Sequence, residues 1–408
     1  MTWEFELETA LRNQGFSSVG ICDLNAAQAL FAKAADRFSD WTERGFAGSM
    51  AYLLKTRAKR TDPQLWVPHA RTVVAVLYPY PSHATTHDPL RPKLARYLSG
   101  PDYHHVMRTK FETTLRSVRA VGENFRVSVD AEPVLERAWA AICGLGFIGK
   151  NTLLIHPTLG SHFFIAIAFL QTTTERQPQF IAQRCGSCER CLTACPTRAF
   201  PAAGVLDARR CISHLTLEHR GDATGFTEKL DAGWDWTWLA GCDVCQDVCP
   251  FNTKAFRAPL RLPLRLPVRS DEQAVSSKAG DPCDPWQEWV MLIPRTRADF
   301  DRWVQGRALD RMRFSQFARN VSLGLQAALS AARDLGQFPN AEARRELESA
   351  LDDLIGALGT DRSGGAPVAA AAAHATKKVL ATHSKTENSD RNLLRKWKAK
   401  GHLSHLER

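Results

Sequence analysis

No stretch of 18 consecutive apolar residues occurs in this 408-residue chain, so no segment has the length and character of a membrane-spanning helix. The opening, Met1-Thr2-Trp3-Glu4-Phe5-Glu6, lacks a basic segment followed by an apolar run, and the expectation is a cytoplasmic chain with no membrane partner. Extremes of composition are absent too. At 44% hydrophobic and 24% charged residues the chain has enough apolar material for large cores. Its length suggests two or three domains, at about 150 residues each.

Cysteine is what the chain has in quantity. The run Cys185-Gly186-Ser187-Cys188-Glu189-Arg190-Cys191-Leu192-Thr193-Ala194-Cys195-Pro196 is C-x2-C-x2-C-x3-C-P, the bacterial pattern that wraps [4Fe-4S] clusters and sends its fourth thiolate to a neighbouring cluster. A second run, Cys242-x2-Cys245-x3-Cys249-Pro250, lacks the first cysteine, whose place falls on Leu239. Cys211, in Arg210-Cys211-Ile212-Ser213-His214, is the remaining candidate within reach. Crossing the fourth cysteines gives one cluster on Cys185, Cys188, Cys191 and Cys249, and another on Cys195, Cys211, Cys242 and Cys245. Two structural zincs would suit the C-x2-C pairs but explain neither the tight progression nor the proline after both terminal cysteines. A disulfide scaffold does not fit so large a chain with this spacing. Cys22, Cys143 and Cys283 fall outside the set and read as small hydrophobes or free thiols.

The formal charge of +10 permits a polyanionic partner without naming one.

The N-terminal half alternates helical and strand patterns. Helices are expected over residues 3–14, 26–41 and 106–121 and from Pro133 through Ala141; strands are expected over 17–21, 72–78, 125–129, 153–155 and 162–170. The 72–78 run, short, apolar and rich in β-branched residues, fits a sheet covered on both faces. A polar loop holds His83 and His87, with no acidic or cysteine ligand in register, so they read as loop histidines. The stretch from Ala95 to His105 is dense in hydrogen-bonding and stacking groups and fits a pocket wall, although Tyr97 and Tyr103 taken alone fit packing equally well. Asp130 stands at a strand-to-helix edge, where a carboxylate either does chemistry or caps a helix.

Gly144-Leu145-Gly146-Phe147-Ile148-Gly149-Lys150 satisfies both G-x-G-x-x-G and G-x-x-x-x-G-K. Both phosphate loops require a strand before the glycines, and here a helical pattern runs into Cys143. Asn151 also stands where the second motif needs Ser or Thr for magnesium. The glycines still permit close approach of a bulky flat ligand, with Lys150, Asn151 and Thr152 as polar contacts.

Trp234, Trp236 and Trp238 crowd the second cysteine run as aromatic cover. A helix begins at Cys211, a proline-rich bridge spans Pro259 to Pro267, and helical patterns at 321–335 and 342–356 fit one stacked pair. Residues 364–374 read as a low-complexity, disordered link, and Arg391, Arg395, Lys396, Lys398 and Lys400 around Trp397 as a basic tail that either touches RNA or solubilises the chain.

Taken together, Val129-Asp130-Ala131-Glu132-Pro133-Val134-Leu135-Glu136-Arg137, the segment Gly144 to Leu154, the Cys185 to Pro196 run, Arg210-Cys211-Ile212-Ser213 and the Cys242 to Pro250 run resemble the epoxyqueuosine reductases, over roughly residues 10 to 355. The resemblance implies a fold of three parts: an α/β cobalamin-binding domain, a ferredoxin-like two-[4Fe-4S] module and an α-helical HEAT-like C-terminal domain. On this sequence the divisions fall at 1–180, 181–265 and 266–358, with a flexible basic tail at 359–408. It further implies two [4Fe-4S] clusters and cobalamin as cofactors. As partners it implies transfer RNA with a GUN anticodon carrying epoxyqueuosine and an external low-potential electron donor, and a monomer is expected.

Asp130 matches the family's proton donor, and Tyr97, Asp102, Tyr103 and His104 its pocket segment. Gly144, Gly146, Gly149, Lys150, Asn151 and Ser213 join them as candidate cobalamin-binding residues. Phe147 departs from the family, which commonly has tryptophan there, a change expected to leave cofactor packing intact. The implied reaction is reductive removal of the epoxide oxygen from the modified wobble guanosine at position 34, with Asp130 supplying a proton. An exposed Asp, with a pKa of about 3.9, would be ionised, so burial against corrin and substrate is expected to raise it. A small-molecule reductase of the same cofactor type and a bare electron carrier are the competing readings. The charge and the helical third favour RNA, and the α/β part exceeds what a carrier needs.

Overall fold

Val73, Ala75 and Leu77 point to one side of a strand and Val74 and Val76 to the other, and all five are fully buried. Period-two alternation with both faces apolar makes this the centre of a covered sheet. The computed structural model describes residues 2–80, 88–220, 236–253, 284–361 and 365–381. In it β1 (Ser18–Asp23), β2 (Thr72–Pro79), β7 (Phe163–Leu170) and β4 (Phe125–Ser128) form a four-stranded sheet in the order β1-β2-β7-β4. Every neighbouring pair is antiparallel, with Val74 opposite Ile21 on one side and Ala168 on the other.

Two cores follow from the alternation. On one face Val73, Ala75, Leu77, Ile167 and Phe169 pack against Leu24, Ala27 and Phe31 of α2 (Leu24–Glu43) and Trp139 of α4 (Glu136–Ile142). The Phe31 and Trp139 rings stack 4.2 Å apart. On the other face Val74, Val76, Ala166 and Ala168 pack against Leu7 and Leu11 of α1 (Trp3–Asn13) and Met107 and Phe111 of α3 (Tyr103–Ser117). Burying each large aliphatic or aromatic side chain contributes about 1.5–3 kcal/mol, so a charge at Val76 would break the sheet's centre. Cys22 and Cys143 lie in the first core, their sulfurs 3.5 Å apart, as small buried groups.

The expected elements form with shifted ends. Asp102 accepts from the backbone N–H of His104 and so starts α3 three residues before the expected Val106. In contrast, α4 begins at Glu136 and not at Pro133. Residues 129–135 are taken up by a tight loop in which Ala131 N–H donates to Val129 O and Val134 N–H to Glu132 O.

The second core face continues without interruption into the cluster-bearing segment and the helical third. Leu239 and Ala240 of β8 (Trp238–Ala240) belong to it, as do Trp289, Phe317, Val321 and Leu351. Strand β8 pairs in parallel with β3 (Lys93–Leu94), so the strand before the second cysteine run is stitched to the chain entering the Tyr97–His104 segment. Four helices follow: α8 (Pro285–Leu292), α9 (Arg297–Val304), α10 (Phe314–Leu335) and α11 (Ala341–Thr360). Gly336 ends α10 in the left-handed conformation at φ 65°, and Asn340 caps α11 through Ala343 N–H. Trp289 donates its indole N–H to Leu90 O, tying the helices to the sheet domain.

Helix α10 lies directly on β8. A Cβ at Gly324 would come within 2.8 Å of Trp289 and 2.9 Å of Leu239, so only glycine permits this approach. From the same helix Gln316, Arg319 and Asn320 donate to the carbonyls of Thr216, Leu215 and Leu239. The Leu215 and Thr216 carbonyls form the open end of α6 (Ile212–Leu217), the helix that follows Cys211, and Leu239 belongs to β8.

One expectation is overturned here. The stretch at 364–374, read as a disordered link, belongs from residue 366 on to a helix over 366–381 whose Ala366, Ala369, Ala373 and Leu380 are buried in the common core. Thr376 Oγ1 donates to Ser322 O of α10. Alanine is both low in complexity and the best helix former, and its small side chain allows close packing. The helical part therefore runs past the expected boundary at 358, and the expected basic tail lies, from residue 382 onward, outside the described residues. So do His83, His87, Trp234, Cys283 and the proline-rich bridge.

Among the described residues no helix is long and apolar enough to cross a membrane.

Candidate active site and cluster sites

Asp130 follows β4 in the left-handed region, with φ 60°, a conformation that costs a non-glycine residue of order 1 kcal/mol and places its side chain across the end of α3. There Tyr103 Oη donates to Asp130 Oδ2 at 2.6 Å, and His104 Nε2 stands 3.5 Å from the same oxygen. The other ring nitrogen of His104, Nδ1, is 2.7 Å from Asp102 Oδ1, so one imidazole sits between two carboxylates. Tyr103 is itself fixed by stacking on the rings of Phe164, 3.9 Å away, and His104, 4.0 Å away. Tyr97 meets it edge-on at 6.3 Å.

Desolvation raises the Asp130 carboxyl, but the hydrogen bonds from His104 and Tyr103 and the charge of Arg311 outweigh it and hold it well below the usual carboxylate range. Burial lowers the His104 imidazole, and its bonds to Asp130 and Asp102 more than compensate, leaving it raised. Burial and then the charge of Asp130 push the Glu136 carboxyl up to about 8. Both shifts favour a neutral Glu136 beside an ionised Asp130. Tyr52 and Arg311 interact with Asp130 through space, Arg311 arriving from the turn between α9 and α10 and also lying 3.5 Å from Glu218. Half of the Asp130 side-chain surface stays open, and Tyr52 is 46% exposed.

The cysteines gather from three places. Burial raises the Cys191 thiol, and Cys185, Cys249 and Cys188 raise it further; Cys249 feels burial and then Cys185 and Cys188. Burial likewise raises Cys245, with Cys211, Cys195, Asp243 and Cys191 adding to it, and raises Cys242, with Cys245 and Cys211 adding. Backbone N–H groups oppose this rise: Phe251 and Asn252 donate to Cys249, Val244 to Cys242, and Ser213 and His214, in the first turn of α6, to Cys211. Ala199 N–H stands 3.3 Å from Cys195 Sγ. Such N–H···S bonds stabilise thiolates and set cluster potentials. All eight thiols are free, and among the described residues no three His, Cys, Asp or Glu side chains converge on a single metal ion.

A buried ion triad joins the cluster loops to the pocket segment. Arg96, next to Tyr97, donates from its backbone N–H and Nη1 to Asp243 Oδ2, at 2.8 and 3.3 Å, and pairs with Asp247. A depression of about 520 Å³ lies beside it, lined by Arg190, Thr193, Ala194, Asp247 and Val248.

Residues 184–252 match the family model for a 4Fe-4S double cluster binding domain, and residues 60–131 that for epoxyqueuosine reductase QueG, DUF1730. An epoxyqueuosine reductase of Gloeobacter violaceus is 35% identical over 327 residues, covering 79% of this chain and 96% of the relative. The chain belongs to the epoxyqueuosine reductase family. A crystal structure of selenomethionine-labelled epoxyqueuosine reductase superimposes with a TM-score of 0.64 at 25% identity, covering 92% of this chain and 98% of that one. Another, of epoxyqueuosine reductase with an epoxyqueuosine-modified tRNA-Tyr stem loop, gives 0.64 at 24% identity over the same shares.

Within this family member the residues singled out from the sequence are distributed unevenly. Tyr103 and His104 meet Asp130 directly, Tyr97 stands behind Tyr103, and Asp102 orients His104. The glycine segment behaves differently. A Cβ at Gly144 would meet Gln179 at 2.8 Å, one at Gly146 the Ile155 carbonyl at 2.5 Å, and one at Gly149 the Ile155 side chain at 2.5 Å. The close approach these glycines permit is to the chain itself, and the segment continues into the hairpin of β5 (Phe147–Ile148) and β6 (Leu154–Ile155), not into a helix.

Asn151 is buried against the second cysteine run, donating weakly to Cys245 O at 3.4 Å, and Lys150 pairs with Glu189 at 3.6 Å. Ser213 donates its N–H to the Cys211 sulfur. Phe147 covers the cysteines, packing with Cys185, Cys249 and Phe251. Sequence reading missed Glu136, Arg311 and Tyr52 as parts of the site. Glu136 sat in the quoted motif beside Asp130, whereas nothing local marks Arg311.

Proposed function

We propose that this protein reduces epoxyqueuosine to queuosine at the wobble position of transfer RNA. The observation that carries the reading is Asp130, a half-open carboxylate bonded by Tyr103 and His104 at the end of the segment that Arg96 ties to the cysteine loops. Membership in the family supports it, as does the bound stem loop in a solved relative.

The thiol set suits two cubanes: Cys249 shares its surroundings with Cys185, Cys188 and Cys191, and Cys245 first with Cys211 and Cys195, Cys191 of the first set also lying within reach of it. Cys185, Cys188, Cys191 and Cys249 would hold one [4Fe-4S] cluster, and Cys195, Cys211, Cys242 and Cys245 the other. A flat macrocycle would lie on the open side of Asp130, beside the exposed Tyr52. Tyr97, Asp102, Tyr103 and His104 would hold cobalamin there, with the 144–151 segment and Ser213 backing it from the cluster side. When bound, the clusters relay single electrons and the cobalamin supplies a strongly nucleophilic reduced metal.

The chain's own share is the proton. With cofactor and substrate covering its open side, the desolvation already acting on Asp130 increases, and its carboxyl rises toward protonation. Asp130 then protonates the opening epoxide oxygen, which departs as water with a second proton from solvent and two electrons from the external donor, and Tyr103 and His104 stabilise the carboxylate left behind. The substrate would be transfer RNA with a GUN anticodon, bound by a monomer in the cytoplasm and served by an external low-potential electron donor.

Anaerobic turnover with a low-potential reductant, comparing epoxyqueuosine-containing transfer RNA with the free nucleoside, tests the reading. Queuosine formed far more efficiently on RNA is expected. Equal efficiency would remove the RNA from the proposal, and no product from either would remove the reaction.

A further inference from the structure

Asp130 is held in place by more than its own side chain. Its left-handed backbone is unfavourable for an aspartate, so a free loop would relax out of the arrangement that meets Tyr103 and His104. Two glutamate side chains oppose that relaxation by accepting from consecutive N–H groups. Glu132 Oε2 accepts from Val129 N–H at 3.0 Å, and Glu136 Oε1 accepts from Asp130 N–H at 2.6 Å.

The two are not equivalent. Glu132 belongs to the loop and is tethered by Arg108, which also donates to Val127 O. Glu136 opens α4, whose Trp139 and Ala140 are buried in the core, and the same Oε1 accepts from Ser128 Oγ at 2.6 Å. Ser128 is fully buried at the end of β4. One oxygen therefore joins strand end, loop and helix.

Resting on the function proposed above, we propose that Glu136 is the positioning residue of Asp130, its side chain clamping the left-handed turn that holds the proton donor against Tyr103 and His104. The groups around it are Asp130 and Glu132 on the loop, Arg137 on its own helix and Arg60, which donates to Val134 O. Burial and the Asp130 charge keep Glu136 protonated near neutrality. A neutral acid accepts through one carbonyl oxygen, as a glutamine amide does, so the clamp needs an acceptor at Oε1 and not a charge.

The test uses full-length protein loaded with both clusters and cobalamin. Hydrogen–deuterium exchange of the 129–135 peptide in the resting protein reads the clamp without turnover, and single-turnover kinetics on modified transfer RNA read its consequence. With Glu136→Ala, exchange at Asp130 N–H should rise about tenfold and the single-turnover rate fall by a similar factor, with KM for RNA unchanged. Glu136→Gln should restore both to within about threefold of the parent. In an Asp130→Asn background Glu136→Ala should still raise exchange while costing no further rate.

If Glu136→Ala fails to load clusters, Ser128→Ala carries the test by removing one of the two donors, and a rise of about threefold in exchange is expected. Unaltered exchange in these variants, or Glu136→Gln behaving like Glu136→Ala, would overturn the clamp. Raised exchange together with a fully active Asp130→Asn protein would leave the clamp standing and remove Asp130 from the chemistry.

Discussion

Tyr103 Oη lies 2.6 Å from Asp130 Oδ2 while its ring is stacked at 3.9 Å on Phe164, so the phenol cannot swing away without breaking the stack. The bond favours the ionised carboxylate. Tyr103→Phe keeps the stack and removes only the donor, and the Asp130 carboxyl should therefore rise. A proton donor with a higher pKa stays protonated to higher pH. The alkaline limb of kcat, which reports the enzyme with substrate bound, should move up in this variant, and a limb that stays in place would show that Asp130 is not the group titrating in that profile.

Asp130→Asn removes the proton and leaves the side chain's shape. Clusters and cobalamin should load normally, while turnover drops by about 10²–10⁴-fold, the usual contribution of a positioned general acid. Rate on modified transfer RNA and iron content on the same sample check both halves. Undiminished turnover would return Asp130 to the role of a turn residue.

The crossed cysteine assignment separates two otherwise similar variants. Cys249 lies in the second run but shares its surroundings with Cys185, Cys188 and Cys191. Cys249→Ala should disturb the cluster of the first run, and Cys211→Ala the other one. Each variant is expected to fall from about eight irons toward about four, with different Mössbauer and paramagnetic resonance signatures. Identical spectra from both would mean that the two cysteines serve one cluster.

The cysteine pattern was legible because thiolate spacing along the chain is itself the constraint that a cubane imposes. Strand β2 was legible for the same reason, since alternation and burial on both faces leave no other reading of Thr72 to Leu77. Arg311 was not, because its place beside Asp130 depends on how α9 and α10 pack on the sheet domain. The glycines of 144–149 carried a ligand-like signature although their missing side chains make room for Gln179 and Ile155. The helix over 366–381 was hidden by an alanine composition that serves a link and a packed helix equally well.

Arg96 offers a test of how firmly the cluster loops are tied to the pocket segment. Its side chain is 6% exposed and holds Asp243 and Asp247, whose side chains are 2% and 10% exposed. Removing one partner from a buried ion group leaves uncompensated charge, which typically costs about 3–5 kcal/mol. Arg96→Ala should lower the melting temperature of the anaerobically loaded protein by several degrees. Replacing Asp243 and Asp247 with Asn alongside should recover part of it. An unaltered melting temperature would show that the triad is solvated in solution.

Glu136 predicts a pH dependence whose sign follows from its environment. Its carboxyl is raised from 4.5 to about 8 in the folded protein, by burial first and then by the Asp130 charge. A raised folded pKa means that the folded protein binds the proton more tightly than the unfolded chain. The resulting stability is fully present below the unfolded value and is lost as pH rises toward and through the folded one. Asp130 is shifted the other way, and its contribution is lost only under strongly acidic conditions, outside this window. Glu136→Gln removes the titration and keeps the acceptor. The difference in melting temperature, variant minus parent, should therefore increase in favour of the variant as pH goes from about 5 to about 8.5. A difference that stays flat across that range would show that Glu136 is already ionised near neutrality, and the clamp would then be carried by a charge and not by a neutral acid.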